Sequence, residues 1–126
     1  MYLTHVDQCG FHELPGRRSA DPLAGIDVGS LSVRLARLTS GPRAPHLHPS
    51  CAEVIYVMEG HGTAWLDGER TRVGAGDIFV FPAGRPHATL PDPGTEMLLL
   101  CTFPVDDLAG NTVEFDEAIE LPRMPE

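Results

Sequence analysis

Between positions 31 and 103 the apolar residues come in short runs, each stopped by glycine or proline before three helical turns could be completed. That punctuation excludes a helical bundle and leaves β-strands joined by turns. Over 31–38, Leu31, Val33 and Leu35 alternate with Ser32, Arg34 and Ala36, which is a strand period closed by Ser40-Gly41-Pro42. Val54-Ile55-Tyr56-Val57 form the β-branched and aromatic centre of a second strand over 53–58. Further strands are predicted over 62–66, 71–73, 77–81, 87–90 and 97–103, and Asp67-Gly68 is a tight-hairpin dipeptide. Strands recurring every roughly 8 to 12 residues predict an all-β fold, an antiparallel barrel or jelly roll whose interior can house a small site.

A chain of 126 residues fits a single domain, 1–126. Within it, 31–103 is expected to be the barrel. The preceding arm, 1–30, carries Pro15, Gly16 and Pro22 and reads as irregular or edge-strand structure. The tail, 104–126, is acidic and is expected to be a surface strap with a short helix near 116–119 and no chemistry of its own.

Charge and composition exclude several functions. Eighteen acidic against nine basic residues give a formal charge of −9, a field that repels phosphate backbones, so nucleic acid is not expected as a partner. All nine basic residues are arginine, which rules out Schiff-base chemistry on lysine. The longest apolar run, 97–101, is too short to span a bilayer, so no membrane role is expected. Cys9, Cys51 and Cys101 are odd in number and lack a CxxC spacing, and the N-terminus lacks a signal-peptide pattern, so a reduced, cytoplasmic setting is expected.

The chemistry concentrates in a few positions. His46 and His48 lie two residues apart, so on an extended chain they share one face, and Glu53 follows after a bend at Pro49-Ser50. His87 is 34 residues further on, within reach through a meander. Three imidazoles and a carboxylate suit one divalent metal ion, Fe, Mn, Ni, Co or Zn, with open positions for water or substrate beyond four-coordination. Which metal is held stays open.

These positions resemble the two signature motifs of the cupin superfamily. The first runs Gly41, four residues, His46-x-His48, four residues, Glu53, six residues, Gly60. The second runs Gly76, five residues, Pro82-x-Gly84, two residues, His87. Pro91 stands where the second motif usually has asparagine, and the motifs, at 41–60 and 76–91, are separated by only 15 residues, as in compact relatives. The resemblance implies a double-stranded β-helix (jelly-roll) barrel and a metal held by His46, His48, Glu53 and His87. It also implies an enzyme acting on a small organic substrate, either a dioxygenase or a lyase, isomerase or cyclase, with Glu53 and His87 as the candidate catalytic residues. A non-catalytic metal- or ligand-binding sensor is the alternative, and a storage role is disfavoured by the retained ligands.

Arg34, Trp65, Phe79, Phe81, Cys101 and Phe103 are the candidate substrate-binding residues, although for each aromatic core packing is the favoured reading. Arg34 interrupts an apolar strand, where a buried guanidinium would want an anion such as a substrate carboxylate; a solvent-facing position also explains it. His61 follows a turn and reads as solvated, His5 and His12 as residues near the barrel mouth, and Asp77 as a turn stabiliser. With Glu53 inward, Val54, Tyr56 and Met58 face out and present an apolar surface for a homodimer.

Overall fold

The computed structural model describes residues 1–119, and it is all-β as expected. Two antiparallel sheets face each other in a jelly roll. The strands are β1 (His12–Leu14), β2 (Arg17–Ala20), β3 (Ser32–Thr39), β4 (His46–Leu47), β5 (Glu53–Glu59), β6 (His61–Leu66), β7 (Glu69–Gly74), β8 (Ile78–Phe81), β9 (His87–Pro91), β10 (Glu96–Phe103) and β11 (Val113–Glu114). The larger sheet has the order β1-β2-β3-β10-β5-β8 and the smaller β11-β4-β9-β6-β7.

β10 lies at the centre of the larger sheet, paired along its length with both β3 and β5. It is buried on both faces, Leu99 and Cys101 inward and Leu98 outward, which explains its unbroken apolar run. Between the sheets the apolar core joins Leu38, Ile55, Val57, Met97 and Leu99 of the larger to Ala64 and Val73 of the smaller. Turn chemistry sets the registers. Asp67 (φ 47°) and Gly68 (φ 93°) both take the left-handed conformation of the tight hairpin between β6 and β7, pairing Leu66 with Glu69. Asp77 accepts a hydrogen bond from the Gly74 amide at 2.7 Å, the turn role expected of it.

The arm supplies an edge strand, one of the two readings expected of it, and the helix expected in the tail does not form. The arm is a hairpin, β1–β2, that extends the larger sheet through β3; its short polar segments hide the strand period because one face lines a cavity and the other meets solvent. No helix forms near 116–119: Asp116 and Glu117 form a bend and Ile119 makes an isolated bridge with Arg43, so that backbone is satisfied between segments rather than within one. The tail pairs as β11 with β4, and its acidic Glu120 and Glu126 lie outside the described residues. Among the described residues no helix is long and apolar enough to cross a membrane.

Candidate metal centre

β4 begins at His46, β9 at His87, and the two residues face each other across that strand pair in the smaller sheet. Glu53 opens β5 in the opposite sheet, and His48 follows β4 directly. The four side chains therefore meet in the interior where the sheets approach, with one ligand atom of each within 4.8 Å of the others. All four are buried, His87 at 1%, His48 at 3%, Glu53 at 5% and His46 at 8% exposure. Phe81 stacks on His87 with ring centroids 4.3 Å apart, and Phe103 meets His48 edge-on at 4.9 Å. These rings fix the imidazole planes and keep water from one side.

Glu53 Oε1 is the point of convergence: the Nε2 atoms of His48, His87 and His46 lie 3.1, 3.4 and 3.7 Å from it. What faces the other ring nitrogens decides the tautomers. His48 Nδ1 donates to the Asn111 carbonyl at 2.9 Å and His87 Nδ1 to the Arg85 carbonyl at 3.0 Å, because a carbonyl only accepts. A neutral ring so oriented turns its Nε2 lone pair towards the carboxylate. Lone pairs then face a negative oxygen across about a hydrogen-bond length, an arrangement that requires a cation between them. Among the described residues His87 Nε2 is buried without a hydrogen-bond partner, at a cost on the order of 1–3 kcal/mol if left so. A proton relieves one such contact at a time, whereas a divalent ion takes several lone pairs and the carboxylate at once. The donor set thus fits a metal, and backbone carbonyls hold two of the rings from behind, as metal-ligating imidazoles require.

Electrostatics prepare the same state. Burial alone would raise Glu53, but the surrounding imidazoles of His46, His48 and His87, wherever one of them shares a proton with it, outweigh that and hold the carboxyl well below its usual range. Burial lowers His46, which keeps the ring neutral and its lone pair available. Burial, and next the Glu53 charge, push the Cys101 thiol well above its ordinary range, so it lines the site as a neutral thiol.

A cavity of about 250 Å³ opens onto the four residues. Of the candidate substrate-binding residues, Arg34, Phe81, Cys101 and Phe103 line it, as does His12. Trp65 and Phe79 do not line it. Trp65 is on the face of β6 opposite Ala64 and Leu66, so strand alternation turns it from the cavity, whereas Phe79 shares the inward face of β8 with Phe81 and packs against the core behind that ring. Arg34 does face inward, but its Nη1 already has an anion, Asp21, at 3.3 Å. His61 is largely exposed, as expected, yet it pairs with Asp92, which also binds Arg72.

Two functional elements escaped the sequence reading. Asn111 and Thr112, in the tail given no chemistry, stand against His48 Nδ1, with the Thr112 hydroxyl 3.3 Å away. Arg43, three residues before His46, is buried at 8% exposure and lines the cavity. Its guanidinium donates to the Thr89 carbonyl at 3.0 Å, and burial, then repulsion from Arg17, lower it to about 10, still cationic at neutral pH. Its position in the first motif, between Gly41 and His46, was the available signal.

Comparison with known proteins agrees with this geometry. A germin-like protein (subfamily 2 member 2) of Arabidopsis thaliana is 35% identical over 68 residues, covering 48% of this chain and 31% of that protein. An auxin-binding protein of Prunus persica is 34% identical over 84 residues, covering 60% and 40%. The chain thus spans about a third of the length of the germin-like relatives it matches. Among solved structures, a Streptomyces nucleoside dehydratase in complex with uridine aligns with a TM-score of 0.75 at 18% identity, covering 93% of this chain and 92% of that one. The polyketide cyclase RemF of Streptomyces resistomycificus aligns at 0.73 and 20% identity, covering 97% and 87%. The family model for the cupin domain matches residues 34–103, more than half of the sequence and the whole stretch that carries the four converging side chains. The chain belongs to the cupin family.

Proposed function

We propose that this chain is a metal-dependent enzyme acting on a small organic molecule in the cavity between its sheets. His46, His48, Glu53 and His87 are the residues proposed to hold one divalent ion. One observation carries this reading: the carbonyls of Asn111 and Arg85 turn the Nε2 lone pairs of His48 and His87 onto the Glu53 carboxylate, acceptor against acceptor. A bound divalent ion would supply Lewis-acid polarisation of a substrate oxygen or, if redox-active, chemistry with O2.

The protein's own groups supply the rest. Glu53, kept ionised in a buried place, is the proposed proton acceptor at Oε1, and His87, the other candidate catalytic residue, is proposed to act by holding its Nε2 lone pair in place, its ring clamped between Phe81 and the Arg85 carbonyl. Phe81, Phe103 and Cys101 form an apolar wall that excludes water from the reacting molecule. Lyase, isomerase or cyclase chemistry is the reading preferred here, supported by the dehydratase and the cyclase among the proteins of similar fold. Iron as the resident metal would instead favour a dioxygenase.

A reducing, cytoplasmic setting suits the three free cysteines. A homodimer is proposed through the outer face of β5 and β8, where Val54, Tyr56, Ile78 and Val80 are 38%, 42%, 70% and 53% exposed. β8 ends its sheet among the described residues, and a second copy would pair with that free edge. Met58 contributes less than expected, being half-buried.

Elemental analysis of untagged full-length protein beside the His46→Ala/His87→Ala variant tests the metal reading. About one transition-metal ion per wild-type chain and none in the variant is the expected result. Wild-type protein that takes up none of Fe(II), Mn(II), Co(II), Ni(II) or Zn(II) on reconstitution would sink it.

A further inference from the structure

Three guanidinium groups, those of Arg17, Arg34 and Arg43, line the cavity of a chain whose formal charge is −9. Two of them have anions. Arg17 is paired with Glu114 at 3.1 Å and Arg34 with Asp21 at 3.3 Å. Arg43 has none: among the described residues no carboxylate lies within 4 Å of it, its one hydrogen bond goes to a neutral carbonyl, and its Nε is buried without a partner. Arg43 is buried, with its stem under Gly16 of the β1–β2 turn, so its guanidinium is reached only from the cavity. A buried cation with donors left open is costly, and an anion arriving from the cavity relieves that cost. Glu53 does not fill that role, because its Oε1 is engaged by three imidazoles.

We propose that Arg43 is a substrate-binding residue and that the molecule bound in the cavity is a small carboxylic acid whose carboxylate pairs with the Arg43 guanidinium. This rests on reading the cavity as a substrate site. A guanidinium edge presents two parallel N–H donors, which match the two oxygens of a carboxylate. The size agrees: at about 250 Å³ the cavity is near the small end of ligand pockets, which suits a small acid. The remaining wall is apolar on one side, with Leu38, Leu99, Phe81 and Phe103, and carries the four converging ligands on the other. A carboxylate on Arg43 therefore places an apolar body against the aromatics and its reacting carbons towards Glu53. The anion-binding role expected of Arg34 passes to Arg43, because Asp21 already occupies the first.

Calorimetric titration of the metal-loaded full chain with benzoate, its neutral isostere benzamide, and inorganic phosphate tests this. Benzoate should bind saturably and at least tenfold more tightly than benzamide or phosphate, and Arg43→Gln should weaken benzoate at least tenfold with metal content unchanged. Benzamide or phosphate binding as tightly as benzoate overturns the proposal, as does equal benzoate affinity in Arg43→Gln. The wild-type comparison requires no variant, so it stands even if Arg43→Gln fails to fold. Repeating the benzoate and benzamide titrations on metal-free protein separates the two readings: discrimination that survives without metal belongs to Arg43, whereas failure of the metal reading appears in the elemental analysis alone.

Discussion

Asn111 holds the candidate centre from outside it. Its carbonyl orients His48, and its side-chain Oδ1 accepts from the Ser50 amide at 2.9 Å, which ties the tail to the loop between His48 and Glu53. Removing the side chain leaves the carbonyl in place but frees that loop. Asn111→Ala is therefore expected to weaken metal binding about tenfold, the scale of lost support behind a ligand, with little loss of stability. Competition with a chromophoric chelator measures it; unchanged affinity would mean that the tail merely covers the site. His48 and Glu53 were recognisable as candidate ligands from spacing, whereas Asn111 stands 63 positions from His48 in a segment without any motif. Arg43 was missed for a related reason. Its burial depends on the hairpin packed over it, and an isolated arginine in a Pro-rich stretch has no sequence mark of being enclosed.

At the level of strands, β6 lies so close to β9 that position 62 has no room for a side chain. A Cβ on Gly62 would stand 2.1 Å from the Leu90 carbonyl oxygen, backbone against backbone. Gly62→Ala should destabilise the fold by ~1–3 kcal/mol or more and displace β9, which starts at His87. A urea midpoint shift together with weaker metal binding is the expected pair of observations; a shift without loss of metal would show that β9 slides independently of His87. Just beyond β9, Asp92 joins Arg72 of β7 to His61 of β6. The hydrogen bond from Arg72, with a smaller contribution from His61, lowers Asp92 from 3.8 to about 2. A depressed folded-state value stabilises the protein above the ordinary carboxylate range, and that stabilisation disappears as pH falls through about 2. Because the cluster is largely solvated on the Arg72 and His61 sides, it contributes at most about 1 kcal/mol. Asp92→Asn should show a stability deficit at neutral pH that closes towards pH 2 in urea titrations; a deficit independent of pH would assign the effect to packing instead. Strand positions in the barrel followed from the apolar alternation, while β1 and β2 did not, because a polar cavity lining lacks the alternation that marks a buried face.

For the molecule as a whole, the apolar outer face of β5 and β8 is the feature that burial within one chain leaves unexplained. If two copies cover it, light scattering at micromolar concentration should give about twice the 13.6 kDa chain mass, and Ile78→Glu should return the monomer. A monomeric wild type would leave the face to another role. The same scale shows how charge is arranged, with acidic residues dominating the surface and three arginines turned into the interior. The sequence by itself determined the all-β class, the turn positions and the four converging candidate ligands, because strand period, turn chemistry and residue spacing are local properties that a linear pattern records. Only the tertiary structure decided which lone pairs face which acceptor, that the tail braces His48, that Trp65 turns from the cavity while Phe79 packs behind Phe81, and that Arg43 alone among the cavity's arginines has no carboxylate within 4 Å among the described residues. Those outcomes depend on contacts between segments far apart in the chain, where geometry and desolvation, rather than local preference, set the energy.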